Sequence, residues 1–108
     1  MFGLTEATIQ KIHAVLANYP QVEQAILYGS RAKGNYKPGS DIDLALLGTD
    51  LSLARLNQIA NDLDDLLLPY HIDLFVIADI DQPDLIDQIN RVGTVFYPCA
   101  HQPKERRG

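Results

Sequence analysis

Residues 5–17, TEATIQKIHAVLA, place Ile9, Ile12, Val15 and Leu16 three or four positions apart, the spacing of a single apolar helix face. Thr5 stands where an N-cap is favoured and Pro20 closes the stretch, so a helix is predicted there. The run AILY at 25–28 reads as a short strand ending on Gly29, and DIDLALL at 41–47 as a second strand with a deeply buried apolar end. GNYKPG between them is rich in turn formers and reads as a loop. Helical spacing returns over 52–68, where Leu53, Leu56, Ile59, Ala60, Leu63, Leu66 and Leu67 form a wide apolar face that Pro69 ends. HIDLFVI at 71–77 is a third strand, 84–91 a short last helix and 95–97 an edge strand. This alternation, with no internal repeat, predicts an α/β (α+β) fold in which one small mixed β-sheet is covered by helices.

At 108 residues the chain makes one domain, long enough to bury roughly 65% of its unfolded surface without staples. Its single cysteine, Cys99, forms no internal disulfide, and no cationic, apolar leader opens the chain; a reducing, cytoplasmic location is expected. Apolar runs are far too short to cross a bilayer, so no membrane partner is expected. Fourteen acidic against nine basic residues, a formal net charge of -5, would repel a phosphate backbone and argue against non-specific nucleic-acid binding. A local basic patch remains able to hold a small anion.

The candidate chemistry lies in GSRAKGNYKPGSDIDLAL, which begins at Gly29. In a strand, Asp41 and Asp43 project from one face while Ile42 and Leu44 project from the other. Taken alone the pair reads equally well as a solvated strand end or as a cation site. Asp73 tips the balance, since it interrupts an otherwise apolar strand and aspartate is seldom buried without a partner or a metal. Were the second and third strands neighbours, three carboxylates would converge. Two such charges about 4 Å apart repel by about 4 kcal/mol at an effective dielectric near 20, so the cluster needs a cation or raised pKa values. Mg2+ suits an all-oxygen set, and His13, His71 and His101 show no ligand spacing.

Gly29 lets the backbone come close to a ligand, and Ser30 is placed to cap a short helical turn through RAKG while offering its hydroxyl and nearby N–H groups to an anion. Read alone, the pair is better taken as strand-to-turn punctuation. Arg31 and Lys33 are either phosphate contacts or solvated surface cations, and the stretch is neither a Walker loop nor a dinucleotide-binding glycine motif. Together, a phosphate cradle and metal-binding carboxylates at adjacent strand ends are what nucleotidyl transfer requires.

The glycine-serine pair, a spacer of about ten residues, then Asp41-Ile42-Asp43 and the later Asp73 resemble the signature of the minimal nucleotidyltransferases (MNT) of the DNA polymerase β superfamily. The likeness runs from the first helix to about Tyr97, making 1–98 a nucleotidyltransferase domain and 99–108 a polar basic tail expected to be loose. Proteins similar to this are usually antitoxins paired with HEPN-type toxins, and some transfer AMP from ATP to a tyrosine of the toxin. The resemblance implies a small mixed sheet of the nucleotidyltransferase fold, two Mg2+ ions, and ATP as substrate. It implies that Asp41, Asp43 and Asp73 bind metal and are catalytic, with Asp73 also helping to deprotonate the acceptor. Gly29 and Ser30 then hold the triphosphate, with Arg31 and Lys33 as further nucleotide contacts. Lys33 stands where many similar proteins have arginine, keeping the charge without the bidentate fork.

One small domain spends most of its residues on its own core, so the acceptor is expected from outside, as a protein partner; the apolar stretches of 52–68 and 95–97 are open to it as docking surface, though they read more readily as core. Two further readings stay open: an antitoxin that neutralises its partner by contact alone, and a transferase acting on a small molecule or an RNA end.

Overall fold

The structure, a computed structural model, describes residues 3–34, 37 and 39–97. The tail, Cys99, His101 and Tyr36 lie outside the described residues. Helix α1 (Glu6–Ala17) is capped by Thr5, whose side chain accepts from the Thr8 amide, and it buries Ile12, Val15 and Leu16. Strand β1 (Val22–Tyr28) starts three residues before the apolar run that marks it in the sequence, because a register irregularity between Val22 and Gln24 breaks the alternation there. A single helical turn, α2 (Ser30–Lys33), follows at once and ends on Gly34 in the left-handed region.

Strand β2 (Ile42–Gly48) begins one residue later than expected, leaving Asp41 outside it. Helix α3 (Leu53–Asp64) is capped by Ser52 and stops four residues short of the predicted end. Its apolar spacing continues, but Leu67 takes a positive φ of 55° and the chain turns toward Pro69. Strand β3 (Ile72–Val76), a short 3-10 turn, helix α4 (Pro83–Val92) and strand β4 (Thr94–Tyr97) complete the order.

Among the described residues the four strands form one mixed sheet in the order β3-β2-β1-β4. Strand β1 is antiparallel to both β2 and β4, whereas β2 and β3, joined through α3, are parallel. One face carries the main core: Ala25, Leu27, Ile42, Leu44 and Leu46 pack with Ile12 and Leu16 of α1 and Ile59 and Leu63 of α3. The other face holds a smaller cluster, in which Tyr28 and Ala45 meet Ile89 of α4. Two polar contacts lock the first face. The Tyr19 hydroxyl donates to Asp62, joining the segment just after α1 to α3, and His13 Nε2 lies 2.7 Å from the Phe96 carbonyl, joining α1 to β4.

Candidate active site

The parallel pairing of β2 with β3 sets Asp43 directly opposite Asp73, and the antiparallel pairing with β1 sets Asp43 opposite Tyr28. Side chains alternate, so the core-facing Ile42 and Leu44 force Asp43 onto the face that α4 covers only in part. Burial first, and then the carboxylates of Asp73 and Asp41, raise the Asp43 carboxyl above its ordinary value; a hydrogen bond with Asp73 acts in the same direction and His71 opposes it. Burial together with Asp43 and Asp73 likewise pushes the Tyr28 phenol up. These responses describe a crowded negative site at the N-terminal ends of β2 and β3.

The two strands therefore are neighbours, but convergence of the three carboxylates is incomplete. Asp43 and Asp73 come together, while Asp41 sits exposed just before β2, close enough to act on Asp43 electrostatically. Among the described residues no group of three or more His, Cys, Asp or Glu side chains is gathered to hold a metal ion. The donor chemistry still fits a hard cation, for the oxygens are all carboxylate and their mutual repulsion is what a divalent ion would relieve.

Gly29 lies against this cluster. Its φ of +78° disfavours any side chain, and a Cβ placed there would collide with the Asp43 carboxylate. The cradle and the acidic pair are thus in direct apposition. Gly29, not Ser30, is the N-cap of α2; Ser30 opens the helical turn, and no side chain caps its N-terminus. Lys33 is exposed at the end of the turn. Arg31 takes a different course: it is 3% exposed, with Nε and Nη2 donating to the Ser40 carbonyl at 3.1 and 2.9 Å.

Histidine spacing did not single out His71, yet its Nε2 lies 2.8 Å from Asp73 Oδ1. The alternation of β3 was the available signal, since residues 71 and 73 of an extended chain share a face.

A strand, a sharp glycine, one helical turn and a returning strand set Gly29 against Asp43, with Asp41 just before that strand and Asp73 on its parallel neighbour. The chain belongs to the family described as Polymerase beta, Nucleotidyltransferase, whose profile matches residues 10–101. Similar solved structures include a toxin-antitoxin with AMP-PNP, 26% identical, with a TM-score of 0.68 over 90% of this chain and 76% of that one. A mutant form of a MntA-HpeT toxin-antitoxin is 28% identical, with a TM-score of 0.64 over 85% of this chain and 71% of that one. The complex of a tri-AMPylated Shewanella oneidensis HEPN toxin with an MNT antitoxin has a TM-score of 0.65 at 23% identity, over 87% of this chain and 72% of that one, a likeness of fold. No curated protein matches the chain significantly.

Proposed function

We propose that this chain transfers AMP from ATP to a tyrosine hydroxyl of a partner HEPN toxin and thereby acts as its antitoxin. The observation that carries the proposal is the apposition of Gly29 with Asp43, itself paired in register with Asp73, within the fold of a toxin-antitoxin component that is 26% identical. The choice of acceptor draws on the AMPylated toxin of the Shewanella oneidensis complex.

In this reading Gly29 and Ser30 hold the triphosphate against the strand ends, and Lys33 adds positive charge from the rim. Asp41, Asp43 and Asp73 would hold two Mg2+ ions, which supply charge neutralisation at the triphosphate and activation of the acceptor oxygen. Asp73, at the β3 edge of the sheet, takes the proton of the tyrosine hydroxyl. The tyrosine oxygen forms a bond to the α-phosphorus as the bond from that phosphorus to the bridging oxygen breaks, and pyrophosphate leaves with the electron pair. The half-buried setting of Asp43 strengthens each of these charge interactions relative to open water.

The test is transfer of label from ATP marked at the α-phosphate to the partner, with and without a chelator. Label on a toxin tyrosine that disappears with EDTA and in the Asp41→Asn, Asp43→Asn variant is the expected result. Neutralisation of the toxin without any label, by wild type and double variant alike, would replace the proposal with inhibition by contact.

A further inference from the structure

Arginine is among the residues least often buried, because a desolvated guanidinium must have its charge and donors compensated. Arg31 is nevertheless 3% exposed. Two of its donors converge on a single acceptor, the carbonyl of Ser40, and its guanidinium carbon lies 4.8 Å from the centre of the Tyr70 ring, a cation-π distance.

The partners are placed where they matter. Ser40 immediately precedes Asp41, and Tyr70 precedes His71 and the strand that carries Asp73. Ser40 is itself closed into a turn, its Oγ accepting from the Lys37 amide at 2.8 Å and its amide donating to the Lys37 carbonyl at 2.9 Å. Two residues further on, the Ile42 amide donates to the His71 carbonyl at 2.9 Å, pinning the start of β2 to the start of β3. Arg31 therefore ties the α2 turn that follows Gly29 and Ser30 to both segments that deliver carboxylates.

We infer that Arg31 is a positioning residue that holds Asp41 and Asp43 at a set distance from the Gly29-Ser30 cradle, and that it does not contact nucleotide. The inference rests on the transferase reading for what the held carboxylates do, but its geometry is independent of the acceptor. Lysine at this position keeps the charge and loses the paired donors to the Ser40 carbonyl, so it isolates the positioning role.

The experiment compares wild type, Arg31→Lys and Tyr70→Leu in three measurements, after circular dichroism has established that each is folded. Mn2+ binding is followed by electron paramagnetic resonance, binding of a fluorescent ATP analogue is measured in EDTA, and label transfer is resolved into kcat and KM. For Arg31→Lys, Mn2+ affinity and kcat should each fall by about tenfold or more, the usual effect of removing a group that orients a metal ligand. Metal-free analogue binding and the nucleotide KM should change by less than about twofold. A tenfold or greater loss of metal-free analogue binding with Mn2+ affinity intact would overturn the inference and make Arg31 a phosphate contact. Unchanged Mn2+ affinity and kcat would overturn it as well. If Arg31→Lys does not fold, Tyr70→Leu decides: weakened Mn2+ binding with analogue binding kept supports the inference, and wild-type Mn2+ binding rejects it. Absence of label transfer in the wild type, with the Mn2+ difference present, would strike the transferase reading and leave Arg31 its role.

Discussion

Gly29 combines two demands that no other residue meets, a left-handed backbone and room for the Asp43 carboxylate where a Cβ would stand. Gly29→Ala is expected to lower stability by about 1–3 kcal/mol and to weaken nucleotide binding, because the strand end must move away from β2. Urea denaturation and binding of a fluorescent nucleotide check both. Asp41→Asn differs in kind: Asp41 is exposed, so stability should hold within about 0.5 kcal/mol while transfer falls by more than about a hundredfold. Asp43 and Asp73 were legible in the sequence, since alternation along β2 and one acidic residue in an apolar β3 suffice to set them apart. The partners of Arg31 and the contact of His71 with Asp73 were not, because they join residues 31 with 40 and 70 and depend on how the strand starts are pinned. Arg31 stood open between a phosphate contact and a solvated cation, because a four-residue helix offers no periodicity from which its burial could be read.

Helix α3 links β2 to a parallel β3, so its packing fixes where Asp73 falls relative to Asp43. Ile59 is fully buried on this helix whereas Leu53 is 73% exposed. Ile59→Ala should cost about 2–5 kcal/mol through the cavity it leaves. Leu53→Ala should cost no more than about 0.5 kcal/mol, and Ser52→Ala about 1 kcal/mol for the lost cap, with urea midpoints as the measure. The helices were visible as apolar spacing with caps, and Thr5 and Ser52 serve as their N-caps. Their ends were less so. The apolar face read from the spacing runs on through Leu66 and Leu67, but Leu66 packs against the core from the turn after the helix and Leu67, at positive φ, is 89% exposed. Strand β1 hid its beginning in the same way, behind the irregularity at Val22 and Gln24.

Across the whole molecule, stability and the site share the sheet: one face supplies the core and the other leaves Asp43 and Asp73 between α4 and the β3 edge. Crowded carboxylates oppose folding through their repulsion; with Mg2+ held there as proposed, millimolar Mg2+ should raise the unfolding temperature of the wild type. At a hundred times the dissociation constant the gain is about 2.7 kcal/mol. The Asp41→Asn, Asp43→Asn variant should show almost none of it. No described helix is long and apolar enough to cross a membrane, consistent with the short apolar runs.

The most direct measurement is the intact mass of the partner toxin after incubation with this chain, ATP and Mg2+, followed by peptide mapping. Whole-AMP additions on a tyrosine, absent with the Asp41→Asn, Asp43→Asn variant and accompanied by loss of toxin activity, are the expected result. An unmodified toxin that is silenced equally by both forms would contradict catalysis and leave a protein that acts by binding.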